Sequence, residues 1–150
     1  MATHIEERVR IEAPADVVWA VLSDVERWPE WTASVETVEL QNAGPLAATS
    51  VARLKQPGYR AAMWRVTAFD APRRFVWESP IMPGARAIAG HEVTPDGDAT
   101  NVLLTIDTTG PTSFLADRAV RSASKRFMPM EAAGLKKRSE SRARSGGAGI

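Results

Sequence analysis

Between residues 34 and 108 the chain passes through six short β-rich segments with no helix between any two of them. They lie near residues 34–41, 49–56, 61–69, 74–79, 85–94 and 100–108. Turn signals punctuate them: Asn42-Ala43-Gly44-Pro45, Pro57-Gly58, Asp70-Ala71-Pro72, Pro80 to Gly84, and Pro95-Asp96-Gly97. A parallel pairing needs a long crossover connection, so strands this closely spaced can only pair antiparallel. Residues 3–12 add a seventh strand. Ile5, Val9 and Ile11 alternate with Glu6, Arg8, Arg10 and Glu12, the period of a half-buried strand. Glu7 is the odd residue, a carboxylate on the apolar face.

The other segments read as helices. Pro14 suits the first position of a helix and Asp16 suits its first turn; Val17, Val18, Val21 and Leu22 follow at helical spacing. Asp24 can cap a second short helix, which Pro29 cuts off. Three of the five tryptophans, Trp19, Trp28 and Trp31, gather around this break. Residues 113–144 predict one long helix with Ala116, Ala119, Val120, Ala123, Phe127 and Met130 as its apolar stripe. Pro129 is expected to kink it or to end a first segment near Phe127, and Gly134 to weaken it again. Residues 139–150 read as a flexible basic tail, leaving 1–138 as a single domain. The class is α+β: a seven-stranded antiparallel sheet curved around a long C-terminal helix, with two short helices between strands 1 and 2. The stripe of the long helix has to be buried, and the concave sheet face is the large apolar surface available for it.

Composition excludes several chemistries. The 150 residues contain no cysteine, so disulfides, thiolate metal sites and thiol nucleophiles are ruled out. No apolar run approaches 18 residues, and no signal segment is visible, so a cytoplasmic protein without a membrane span is expected. The net charge of +1 is unevenly spread: −6 over residues 1–40, +1 over 41–112, and +6 over 113–150. One reading is intramolecular, an acidic N-terminal half facing a basic helix. The other is a basic surface for a larger partner. Nucleic acid is a poor match, since Phe127 is the one aromatic interleaved with the basic residues, which run from Arg118 to Arg144.

Certain stretches carry a family resemblance: Ile11-Glu12-Ala13-Pro14, then Val18-Trp19, then Ser23-Asp24-Val25-Glu26-Arg27-Trp28-Pro29-Glu30-Trp31; Trp64-Arg65-Val66 through Phe75-Val76-Trp77-Glu78; Gly90-His91, Asp96-Gly97, and Leu135-Lys136 with Glu140. Over residues 3–138 the chain resembles the START-like (SRPBCC, helix-grip) superfamily, specifically its polyketide cyclase/dehydrase branch. The resemblance implies the helix-grip fold and a pocket between sheet and long helix. It does not imply one activity, because members of the superfamily differ widely in function. The proline at 129 departs from the continuous helix usual in such proteins.

No G-x-S-x-G, Walker loop, G-x-G-x-x-G or H-E-x-x-H motif occurs. Two distant histidines and no cysteine make a metal site unexpected, and no cofactor is expected. His91 and Arg65 are the weak catalytic candidates. His91, on the strand face of Ala89 and Val93, reads either as a pocket acid/base or as a partly exposed histidine bonded to a neighbour. Arg65, placed with Met63, Thr67 and Phe69, reads as a partner for Glu7 or for a ligand carboxylate. Glu78 is expected to pair with Arg74 or Arg86. Candidate ligand-binding residues are Trp28, Trp31, Trp64, Val66, Trp77, His91, Phe127 and Met130, with Trp28 and Trp31 at a pocket mouth. The tryptophans Trp64 and Trp77 read equally as core, and Met63, Met82, Met128 and Met130 as gap-fillers. The segment 80–84 is either a lid or a plain hairpin. Three functions follow. The protein binds a small hydrophobic molecule, aromatic, polyketide-like or lipid. Alternatively, it is a cyclase/aromatase- or dehydratase-like enzyme acting by positioning, or an interaction module using the basic helix. It is expected to be a monomer or a homodimer.

Overall fold

A computed structural model describes residues 3–148. Its strands are β1 (His4–Ile11), β2 (Thr37–Leu40), β3 (Val51–Lys55), β4 (Ala62–Asp70), β5 (Arg74–Met82), β6 (Ala85–Asp96) and β7 (Ala99–Thr109). All pair antiparallel in one sheet of order β1-β7-β6-β5-β4-β3-β2. Helix α1 (Ala15–Ser23) and a 3₁₀ helix (Val25–Glu30) separate β1 from β2. A short 3₁₀ turn (Ser113–Leu115) leads into α2 (Asp117–Ala148). The expected class, the seven antiparallel strands and the order of elements along the chain are all present.

Local chemistry sets the α1 break. Pro14 stands one position outside the helix, its carbonyl accepting from Val17 N and Val18 N. Asp24 occupies the cap position of the 3₁₀ helix but makes no side-chain cap bond; it pairs with Arg27 instead. Trp28 Nε1 donates to Leu22 O at 2.9 Å, which fastens the break to α1. The core then forms between the concave sheet face, α1 and α2, with Phe75, Trp77, Ile11, Leu22, Val18 and Leu135 almost wholly buried.

Helix α2 differs from expectation in three ways. First, it is continuous through Pro129. Pro129 and Lys125 are both exposed, so water can serve the Lys125 carbonyl that the missing N–H leaves unpaired. Second, the helix does not give way to a frayed tail at residue 139; it runs on to Ala148, and Ser139 is fully buried. Residues 149 and 150 of the expected tail lie outside the described residues. Third, Gly134 is a contact: a Cβ there would collide with the Trp31 carbonyl.

Both ends of α2 are tied to the β1–β7 pair. Asp117 Oδ1 accepts from Thr3 Oγ1 at 2.6 Å and Thr108 Oγ1 at 3.1 Å. Further along, Glu140 Oε2 accepts from Glu12 N at 2.7 Å and from Lys136 Nζ, which also donates to Arg10 O. Arg138 pairs with Glu30 at 3.1 Å. Of the basic residues in these ties, Arg138 meets an acidic side chain of the N-terminal region, whereas Lys136 meets a backbone carbonyl there.

A register irregularity between Val66 and Ala68 in β4 corrects the reading of Arg65. Strict alternation puts Arg65 on the face of Phe69. The bulge shifts the phase, so Trp64, Val66 and Phe69 share the inner face, where Phe69 meets Trp19 at 6.0 Å. Arg65 is left exposed on the convex face opposite Glu78. Glu7 is half-buried beside Leu104 on the other side of the sheet, so the suggested Glu7–Arg65 pair does not form. Glu78 pairs with Arg86 at 3.1 Å. The segment 80–84 is the end of a β5–β6 hairpin rather than a separate loop, since β5 continues to Met82 and β6 begins at Ala85.

Candidate functional site: a two-chamber cavity between sheet and helix

The cavity lies where α2 crosses the middle strands. Its inner chamber, about 90 Å³, is lined chiefly by Trp28, Trp64, Trp77, His91, Phe127 and Glu131. A wider outer groove, about 280 Å³, adjoins it across Leu54, Gln56, Trp64, Ile106, Ala123 and Ser124. Tyr59, Ser79 and Ile81 line the groove further out. Each chamber alone falls short of the roughly 300 Å³ at which small-molecule sites begin, so a ligand of that size needs both.

Aromatic rings build the inner wall. Trp77 is the hub, 5.4 Å from Trp28, 5.8 Å from Trp64 and 5.4 Å from Phe75 between ring centroids. These spacings fall in the range of favourable tilted and edge-on pairs. His91 is stacked on Phe75 at 4.1 Å, with Trp28 and Trp77 each at 5.7 Å. It is 4 % exposed, not the half-exposed strand residue of one sequence reading. Its Nδ1 lies 3.2 Å from Phe75 O; a carbonyl can only accept, so Nδ1 carries the proton and Nε2 keeps a lone pair. Burial among apolar rings pushes the His91 pKa down to about 4, against a smaller opposing effect of the Phe75 bond. The ring is neutral at physiological pH.

Glu131 faces His91's chamber from α2. Burial pushes its carboxyl up to about 7, partly offset by the hydrogen bond from Ser34 Oγ at 3.3 Å. Ser34 in turn is bonded to Thr32 at 2.8 Å. The chamber thus presents one neutral imidazole with a free lone pair and one carboxyl that titrates near neutral pH.

Of the residues singled out from sequence, Trp28, Trp64, Trp77, His91 and Phe127 come together in the lining. Val66 is core beneath it. Trp31 packs against Trp28 at 5.7 Å between ring centroids, but it lines a separate groove with Gly134, Lys137 and Arg138 rather than the chamber. Met130 is partly buried outside the lining and Met128 takes its place; the helix phase runs Ser124, Phe127, Met128, Glu131, Leu135. Arg65 lies on the sheet face opposite the cavity. Sequence reasoning missed Glu131, Ser79 and Tyr59. Glu131 had a signal: it stands four residues from both Phe127 and Leu135, a carboxylate within an apolar helical stripe.

The family's sequence pattern decides the assignment, since it matches residues 2–140 under the description polyketide cyclase/dehydrase and lipid transport. The chain belongs to this family. Among solved structures it is similar to the Zhui aromatase/cyclase from Streptomyces sp. R1128, with a TM-score of 0.80, 22% identity, and 98% and 99% of the two chains covered. It is also similar to norcoclaurine synthase from Thalictrum flavum, with a TM-score of 0.74, 14% identity, and 95% and 96% covered. At these identities the likeness is one of fold. A putative polyketide cyclase of Streptomyces cyaneus is 53% identical over 30 residues, 20% of each protein. No helix among the described residues is long and apolar enough to cross a membrane.

Proposed function

We propose that the protein binds a small, largely aromatic molecule in the two-chamber cavity, with a ligand oxygen at the inner end between His91 and Glu131. The observation that carries this reading is the inner chamber itself: aromatic walls with His91 and Glu131 lining the same space. Flat aromatic faces favour a planar ligand. His91 Nε2 accepts from a hydroxyl, and protonated Glu131 donates to a carbonyl or hydroxyl. Calorimetric titration with a dihydroxynaphthalene bearing a hydroxyl at each end tests it. Saturable one-to-one binding is expected; absence of binding contradicts the reading.

The same two residues favour a second reading, a cyclase-like enzyme. A carboxyl titrating near 7 can give or take a proton at neutral pH, and a neutral imidazole can serve beside it. Together they suit proton removal next to a carbonyl and protonation of a departing hydroxyl, the steps that close and dehydrate a poly-β-ketone chain. The family relationship and the fold shared with the aromatase/cyclase support this chemistry.

A further inference from the structure

Ser79 is a buried hydroxyl without a job in the fold. It is 3 % exposed, and its Oγ makes no hydrogen bond. It follows Phe75 and Trp77 at alternate positions of β5, so its side chain is on the concave face, and it lines the outer groove. Across the ladder it faces Ala87, which offers no polar side-chain atom. Native structures seldom leave a buried hydroxyl unpaired, and such groups call for a functional explanation.

We infer that Ser79 is a second hydrogen-bonding anchor for the ligand, so that the ligand carries an oxygen function at each end. This rests on the aromatic-ligand reading above and extends it to the substrate's shape. The strand register sets the backbone spacing of the two anchors. Phe75 pairs with His91 and Ser79 with Ala87, so Ser79 lies four residues along the strand from the level of His91, about 13 Å at the strand rise. A hydrogen bond of about 2.8 Å at each end leaves roughly 7 Å between the two ligand oxygens. That is the span of a fused bicyclic skeleton with polar groups at its opposite ends. The Ser79 hydroxyl turns on a single side-chain torsion with three staggered positions, so a ligand in the groove can be met without moving the strand.

The test compares wild type with Ser79→Ala and Ser79→Thr, using the same dihydroxynaphthalene and its hydroxyl-free parent, naphthalene. Ser79→Ala is expected to weaken binding of the dihydroxy probe by about five- to tenfold and to leave naphthalene unchanged. Ser79→Thr, which keeps the hydroxyl, is expected to retain the wild-type preference. Without ligand, Ser79→Ala is expected to raise Tm by about 2–4 °C, since it removes an unpaired buried group. Unchanged affinity for the dihydroxy probe, an equal loss for both probes, or a lower Tm would each overturn the inference while leaving the cavity reading intact. If wild type binds neither probe, the cavity reading fails and this inference falls with it.

Discussion

His91 and Glu131 give the cavity opposite responses to pH. His91 has a folded pKa of about 4 against an ordinary 6.5. The unfolded chain therefore binds more protons between these values, and stability rises with pH from about 4 to 6.5. Glu131 has a folded value of about 7 against 4.5. There the folded chain holds the extra proton, and stability falls as pH rises from 4.5 to about 7. Each slope integrates to about 3 kcal/mol, and over the shared window the two largely cancel. Thermal unfolding across pH 4–8 should show this directly. Glu131→Gln should leave the rise below pH 6.5, and His91→Asn should leave the fall above pH 4.5. Parallel profiles for wild type and both variants would mean that neither group is desolvated as described. At this scale the sequence was half informative. His91 was visible because a histidine on an apolar strand face is unusual. Glu131 was missed because the helical stripe was phased on Met130 rather than Met128, which hides a carboxylate four residues after Phe127. Ser79 gave no signal, because a lone serine between Glu78 and Pro80 is ordinary strand chemistry.

Among elements, the strands and their order were legible because alternation and turn chemistry act locally, as in Ile5, Val9 and Ile11 or Pro95-Asp96-Gly97. The failures came where one residue changes the phase. The β4 irregularity returns Phe69 to the inner face and strands Arg65 outside, and no turn residue marks it. Helix α2 was misjudged at Pro129 and beyond residue 138 for a different reason: propensity was read without tertiary contacts. The bonds of Glu140 to Glu12 N and of Lys136 to Arg10 O hold its later turns against β1. Gly134 measures how closely α2 docks. By propensity alone, Gly134→Ala should stabilise the helix by roughly 1 kcal/mol. The collision with the Trp31 carbonyl should instead make it destabilising by about 1–3 kcal/mol, seen as a lower midpoint in urea unfolding. A stabilised variant would show that α2 sits farther from the 3₁₀ helix.

The molecule as a whole is a sheet closed over one helix, with α2 fixed at Asp117 and at Glu140 and the cavity between these two ties. Rigid ends and an open middle explain how a chain of this size can both bury a core and keep space for a guest. The cavity is the claim on which the functional account stands, and Ala123 tests it because it lines both chambers from α2. The decisive measurement is calorimetric titration of the dihydroxynaphthalene into wild type and Ala123→Trp, each first shown to be folded by its circular dichroism and cooperative unfolding. The account predicts saturable binding to wild type and its loss, by at least about a hundredfold, when the indole fills the junction of the chambers. Equal binding by the two proteins would place the ligand elsewhere and contradict it.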